Sequence, residues 1–551
     1  MSALTALQRQ LVWDRLLAVV EEQAQTLMRT AFSTVVREAG DLSAGVFDTQ
    51  GRMVAQAVTG TPGHVNAMAA SVGHFLERFP VESLHAGDVL MTNDPWLATG
   101  HLNDFTVVSP VYFQDQPIAL FASTSHIADV GGRGFGPDAN DVFEEGIRVP
   151  VMYLFKDGKR NDTLMEILEA NVRDPVVAEG DLYSLTACNH HGSRQLVDMM
   201  VEFELNSLDE VGEELLQLSQ EAVEKEIKAL PNGTYHQSMR VDGYDEPVDI
   251  KCALTVDNGS IDIDFAGSSP VSRHGINVPL TYAQAYGSFG VRCLIGNDVP
   301  NNAGSLKPIS VRAPEGSILN AQPPAAVSAR HALGQMLPDV VIGALAQVLD
   351  NVVPAEGASC IWNPVLMNTN LRDGNEPDSS FVINPIFNGG TGARATKDGL
   401  STTAFPSGVR TTPTEINEVT SPLIFWKREF KPDSGGAGRL RGGLGQTIEI
   451  EHAHGAEFSI SKMFERVIHP AQGRDGGHDG ARGRVGIKEG TEFRGKGKES
   501  IPAGTTLIME TPGGAGIGSP LDRDPALVDA DLREGVISSS VAESIYRRKS
   551  D

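Results

Sequence analysis

The chain has 551 residues, 40% hydrophobic and 21% charged, the balance of a globular protein of roughly two to four domains, or fewer large ones, rather than a disordered or fibrous one. Its formal charge of -26 opposes the cationic footprint that neutralises phosphates, so nucleic acid is not an expected partner. No apolar run is long enough to span a membrane, and the opening "MSALTALQRQLVWDRLLAVV" lacks the marks of a secretory leader; a cytoplasmic setting with no membrane partner is expected.

Val12, Leu16, Val20, Ala24 and Leu27 recur about every four residues, which predicts an amphipathic helix over residues 5–30. The stretch "VVREAGDLSAGVFDTQGRMVAQAV" alternates as two short strands around Asp48 to Gly51, and a second helix is predicted from Val65 to Arg78. Strands dominate from there to about residue 155, and from Gly180 to Lys228 a helical pattern of leucines and methionines runs among glutamates. Residues 234–266 alternate as strands, and "RHALGQMLPDVVIGALAQVLD" returns to helix. Beyond it the chain is rich in glycine ("FNGGTGARA", "SGGAGRLRGGLG", "TPGGAGIGSP"), as in short strands joined by tight turns where glycine supplies positive φ. The expected class is mixed α/β (α+β): a large multi-sheet protein with helical segments and a glycine-rich, strand-rich C-terminal part. Boundaries near 232 and 325 divide it into an N-terminal metal-binding α/β region (1–232), a β-rich middle region (233–325) and a glycine-rich α+β region (326–551).

Residues 105–113 and 117–126 are rich in β-branched and aromatic types, and "QDQ" between them reads as a three-residue turn. With Phe113 facing Pro117, Asp104 falls opposite His126. Opposed residues have Cβ atoms about 4.5 to 5.5 Å apart, so both side chains can reach one ion. His101 precedes Asp104 in the loop that enters the strand. Pro110 and Pro117 imply an edge strand or a bulge, and a one-residue bulge shifts the register without separating the ends. Two imidazoles and a carboxylate suit a divalent ion. The alternative is a local hydrogen bond between His101 and Asp104, with His126 buried and satisfied by backbone. His64, Asp94 and Asp129 are weaker candidates.

Cys188, Cys252, Cys293 and Cys360 form no CxxC pair and read as reduced, mostly buried thiols. In "CNHH", Cys188 and His191 share a helix face while the adjacent histidines diverge, a poorer ion site. The chain has no GxxxxGK[ST], no complete GxGxxG after a strand, no GxSxG and no HExxH. A nucleotide used in its pathway therefore belongs on another polypeptide.

The motifs "REAGDLSAGVFD", "GTPGHVNAM", "GDVLMTNDPWLATGHLNDFTVV", "SHIADVGG", "NVRDPVVAEGDL" and "ETPGGAGIGSP" resemble the hydantoinase B/oxoprolinase family over nearly the whole chain. That family takes in N-methylhydantoinase B subunits, the C-terminal part of 5-oxoprolinases, the lactam-opening subunit of caprolactamase, and metal-bearing subunits of acetone and acetophenone carboxylases. The resemblance implies one manganese or zinc ion held by Asp41, His101, Asp104 and His126. It also implies a hetero-oligomer with a hydantoinase A-like ATPase subunit that carries ATP and Mg2+ and activates the substrate. The expected function is ATP-dependent opening of a cyclic amide of the hydantoin, lactam or 5-oxoproline type. Two alternatives stand beside it: the metal subunit of a ketone carboxylase, and a non-catalytic scaffold with a structural metal. Many relatives read "THLPDITV" where this chain has "GHLNDFTV", so the ligand types match while their surroundings differ. No residue is assigned as general base.

Overall fold

The computed structural model describes residues 5–349, 353–368 and 381–548. Helix α1 (Ala6–Thr30) opens on a capping box between Thr5 and Gln8. After α2 (Thr34–Arg37) come β1 (Leu42–Phe47), β2 (Met53–Gln56), α3 (Pro62–Arg78) and β3 (Val89–Thr92). The long hairpin β4 (Asp104–Phe113) and β5 (Gln116–His126) follows, then α4 (Val142–Glu145), β6 (Met152–Lys156) and β7 (Lys159–Arg160). Helices α5 (Asp162–Asn171), α6 (Pro175–Glu202) and α7 (Leu208–Lys228) complete this part. The helical run thus starts before Gly180, because Asp174 caps α6 and Pro175 occupies its first turn.

The strands form one antiparallel seven-stranded sheet, β2-β1-β5-β4-β3-β6-β7. Strand β5 explains why both faces are covered. Ala119 and Phe121 pack with Val12 and Leu16 of α1 and Leu196 of α6, while Leu120 and Ala122 pack with Val65, Val72 and Phe75 of α3. Successive side chains point to opposite faces, so a strand buried on both reads as the unbroken apolar run "IALFA".

The hairpin turn is tighter than expected. Gln114 and Asp115 alone form it, with φ of 50° and 60°, the left-handed pair whose twist matches the flanking strands. Phe113 therefore faces Gln116, and Pro117 faces Tyr112. A bulge between Val111 and Tyr112 takes up the extra residue, and from Val111↔Ala119 down to Asp104↔His126 the expected register holds. Both strands are interior. Pro110 and Pro117 lie past the ends of their outer neighbours, since β3 pairs β4 only as far as Val108 and β1 pairs β5 only as far as Leu120.

Next come β8 (Gly233–Val241), β9 (Val248–Asp257), β10 (Ser260–Asp264), α8 (Leu280–Arg292), α9 (Ala303–Leu306), β11 (Ile309–Arg312), α10 (His331–Gly334) and α11 (Leu337–Leu345). The sheet β11-β10-β9-β8 buries Ile250, Leu254 and Ile263 against Tyr286 and Val291 of α8 and Val340 and Val341 of α11.

The C-terminal part holds β12 (Val365–Asn368), β13 (Phe381–Ile383), β14 (Leu423–Phe430), β15 (Gln446–His452), β16 (Phe458–Met463), β17 (Arg484–Ile487), β18 (Lys496–Ile501) and β19 (Leu507–Glu510). Two four-stranded sheets, β13-β12-β16-β18 and β14-β15-β19-β17, share one core in which Leu366 and Ile460 meet Ile448 and Met509. Many glycines here serve close backbone approach rather than positive φ. A Cβ on Gly442 would stand 1.9 Å from the Gly514 carbonyl oxygen, and one on Gly514 would stand 1.8 Å from that of Thr391; neither residue has positive φ. Hydrogen bonds from Gly443 N to Thr391 O (2.9 Å) and from Gly514 N to Gly443 O (3.0 Å) hold these segments together.

Candidate metal centre

Three adjacent strands of the first sheet, β1, β5 and β4, have ends that lie side by side. Asp104 begins β4 directly opposite His126 at the end of β5, and the His126 N–H reaches the carbonyl oxygen of Asp41, the residue before β1, at 3.3 Å. His101 comes from the β3–β4 loop. The ligand atoms of His101, Asp104 and His126 lie within 4.8 Å of one another, and all three residues are buried.

Asp104 divides its two oxygens between different partners. Oδ2 accepts from Thr99 Oγ1 at 2.7 Å and Arg330 Nη2 at 2.6 Å, and His64 Nε2 stands 2.9 Å away. Oδ1 faces His101 Nε2 at 2.6 Å and His126 Nδ1 at 3.3 Å. Burial alone would raise its pKa, but the His64 imidazole and the Arg330 guanidinium beside Oδ2 hold the carboxyl well below the usual range, so it is a carboxylate.

The tautomer of His101 follows from its other nitrogen. Nδ1 lies 3.0 Å from the Ser328 carbonyl oxygen, which only accepts, so Nδ1 carries the proton and Nε2 a lone pair. Burial, then the Arg330 charge, push the imidazole down to about 4, which keeps it neutral at neutral pH. A lone pair and a carboxylate oxygen thus face each other at 2.6 Å, and Nε2 has no hydrogen-bond partner among the described residues. His126 Nε2 is likewise buried without one. An orphaned His101 nitrogen 2.6 Å from an anionic oxygen, with His126 Nδ1 3.3 Å from the same oxygen, is a donor set that a divalent cation satisfies.

Asp41 lines the same cleft but stands one imidazole away from the trio. Its Oδ1 accepts from Thr61 Oγ1 at 3.0 Å and lies 3.5 Å from His64 Nδ1. His64, a weak candidate from sequence, therefore bridges the two aspartates from the first turn of α3. Burial would lower its pKa, yet Asp104 and Asp41 outweigh that and raise it.

Arg330 was invisible to spacing arguments. Besides Asp104 it donates from Nε to Thr99 O at 2.7 Å and lies over the Tyr282 ring at 4.0 Å. Gly100 makes room for it: with φ of 95°, it would place a Cβ 2.7 Å from Arg330 Cδ. Asp94 and Asp129 have other work, Asp94 accepting from Trp96 N (3.0 Å) and Asp129 pairing with Arg173 (2.6 Å). In α6, Cys188 donates to Leu185 O and burial pushes its thiol up to about 12, while His191 meets Gln195; among the described residues only the His101 group gathers as a metal site.

An aspartate and two histidines gathered at the mouth of an antiparallel sheet form a group with the donor types that could hold a metal ion. The hydantoinase B/oxoprolinase family profile matches residues 5–520, and the chain belongs to that family. It is 27% identical to a putative D-/L-hydantoinase B subunit of Pseudomonas sp. (strain NS671), covering 97% of this chain and 93% of that protein. Among solved structures it resembles an ATP-dependent caprolactamase from Pseudomonas jessenii, with TM-score 0.90 and 22% identity over 100% of this chain and 97% of that one. A nucleotide-free acetone carboxylase matches with TM-score 0.86 and 20% identity over 98% and 79%. These two likenesses establish the fold. No helix among the described residues is long and apolar enough to cross a membrane.

Proposed function

We propose that the chain is the metal-bearing catalytic subunit of an ATP-dependent cyclic amidase, opening a hydantoin, lactam or 5-oxoproline type ring with a hydantoinase A-like ATPase subunit. The reading rests above all on the unprotonated Nε2 of His101 facing the Asp104 carboxylate at 2.6 Å, a repulsive pairing that a manganese or zinc ion relieves. His101, Asp104 and His126 would hold the ion, with Asp41 as a further ligand. When bound, such an ion polarises a carbonyl oxygen.

The chain's own groups prepare the site. Arg330 and Thr99 fix one lobe of Asp104 and leave the other turned to the imidazoles. Ser328 sets the His101 tautomer, and the Phe135 ring lies against both imidazoles, with centroids 5.8 and 5.0 Å away, which limits water at the cluster. Opening an unstrained amide ring needs a driving force, and ATP with Mg2+ on the partner supplies it. The description of a relative as one lettered component of a hydantoinase supports a hetero-oligomer, and four free cysteines support a cytoplasmic setting.

The test is co-purification from the native source, metal analysis, and an ATP-dependence assay on lactams, hydantoins and ketones. About one divalent ion per chain and ring opening only with ATP are expected. Full activity in metal-free protein overturns the reading. Incorporation of labelled bicarbonate into a ketone would put the chain with the carboxylases instead, and a closed metal site with no activity would make it a scaffold.

A further inference from the structure

The cleft beside the metal cluster has room for about 20 Å³, one water, and His101, Asp104 and His126 are all buried. In this conformation neither a hydrated ion nor any molecule larger than water has a way to the orphaned imidazole nitrogens, so something over the cluster has to move. Phe135 is the cover. Its ring lies against His101 and His126, with centroids 5.8 and 5.0 Å away, and stacks on His331 at 5.8 Å. The groups around it are tied by their side chains: His331 Nε2 meets Asn363 Oδ1 at 3.0 Å, and Arg330 is bonded to Asp104 and Thr99.

We propose that Gly134-Phe135-Gly136 is a gate over the cluster, and that rotation of this three-residue span swings the phenyl ring outward to admit the ion and whatever is to reach it. The inference rests on the metal-centre part of the reading above. The flanks of the span are fixed. Upstream, Arg173 Nη1 donates to Gly131 O at 3.4 Å and Gly134 N donates to Gly131 O at 3.3 Å. Downstream, Gly275 N donates to Pro137 O at 2.9 Å and the Tyr244 hydroxyl donates to Asp138. Between them, the backbone of Phe135 and Gly136 makes no hydrogen bond among the described residues, so the ring can leave without breaking one there.

Space lies on one side of the span. A Cβ on Gly134 would meet nothing within 4 Å, and its φ of 81° is one that glycine supports. Gly136 is packed so closely that a Cβ would stand 2.5 Å from Ser461 Oγ, which leaves movement toward the open side of Gly134. Burial of the ring is what holds the gate shut, and burial of one phenyl ring corresponds to an open population of roughly 1–10%.

The probe is diethyl pyrocarbonate, which acylates unprotonated imidazole nitrogens, applied to the metal-free full chain with each histidine read by mass spectrometry. His85, 69% exposed, is the reference. His101 and His126 are expected to react slowly in the unaltered chain, at a rate flat across low urea, because the gate opens without unfolding the protein. Phe135→Ala should speed both about ten- to a hundredfold, while His85 keeps its rate and the buried Cys188 stays closed to a thiol reagent. An unchanged rate in Phe135→Ala overturns the inference, and so does a gain that Cys188 shares, which marks general loosening. If that variant does not fold, the unaltered chain decides: a rate that climbs with urea as global unfolding does means that the cluster is reached only by unfolding, and the gate does not exist. Zinc added to the same protein separates this from the reading beneath it. Failure of zinc to protect His101 and His126 removes the metal centre, while the effect of Phe135→Ala still decides the gate.

Discussion

Arg330→Met perturbs the cluster without touching a proposed ligand. The Arg330 side chain is 3% exposed and its guanidinium stands 2.6 Å from Asp104 Oδ2, with a second bond to Thr99 O at 2.7 Å. Methionine keeps much of the stem and removes the charge. Deleting one partner of a buried ion pair costs about 3–5 kcal/mol, because the other charge stays buried, and the lost bond to Thr99 adds about 1 kcal/mol. A divalent ion on the other lobe of Asp104 restores positive charge, so the loss falls mainly on metal-free protein. By linkage, whatever the ion recovers appears as tighter binding: recovery of about 1.4–2.8 kcal/mol is roughly ten- to a hundredfold. The apparent thermal transition of metal-free Arg330→Met should fall by roughly 3–5 °C, and by clearly less with saturating zinc. Chelator competition should show the tighter binding. An equal fall with and without zinc, or weaker zinc binding, would refute the claim that Asp104 shares its charge between Arg330 and an ion.

His101→Ala, His126→Ala and Asp104→Asn should each abolish metal content and ATP-coupled activity, while His190→Ala and His191→Ala in α6 keep both; elemental analysis and turnover assays decide. Glu145 gives a pH signature. Burial raises its carboxyl to about 8 although the Ser328 and Val327 N–H groups pull it down. Folded protein therefore holds a proton that the unfolded chain has released, and stability falls as pH rises from about 4.5 toward 8. Glu145→Gln should flatten that part of the stability–pH curve, and an unchanged slope would show that Glu145 is ionised when folded. Gly100→Ala combines a φ of 95° with a 2.7 Å approach to Arg330; roughly 1–3 kcal/mol of destabilisation and weakened metal retention are expected in denaturation and metal-binding assays.

What the sequence revealed of the site was what local geometry controls. Asp104 and His126 could be matched because a hairpin's turn and its two-residue period decide who stands opposite whom. The error in turn length was harmless because the bulge at Val111 and Tyr112 compensated it. The position of Asp41 depends on β1 lying against β5, a long-range pairing that no window of residues encodes, and only the family resemblance pointed to it. His64 and Arg330 left no periodic trace, since each is a single polar residue near the start of a helix. In the C-terminal part, composition marked where the backbone is unusual but could not separate the two uses of glycine. Positive φ is a property of one residue, whereas the contact of Gly442 with Gly514 exists only once distant segments are packed.

The same division explains how the cluster is completed. The first sheet brings Asp104 and His126 together by itself, but the groups that set their charge and tautomer, Arg330 and Ser328, arrive on the segment before α10. That segment is held at several points. Glu145 Oε1 accepts from Val327 N and Ser328 N, each at 2.7 Å, Val142 N donates to Pro324 O at 2.9 Å, and Asn277 Nδ2 donates to Ala326 O at 2.9 Å. Seating the 324–330 segment on α4 is therefore what aims the Ser328 carbonyl at His101 and brings Arg330 to Asp104. Without it, His101 is free to protonate on either nitrogen and Asp104 loses its cation, so the proposed ion binding is expected to follow the docking of this segment rather than the formation of the hairpin alone.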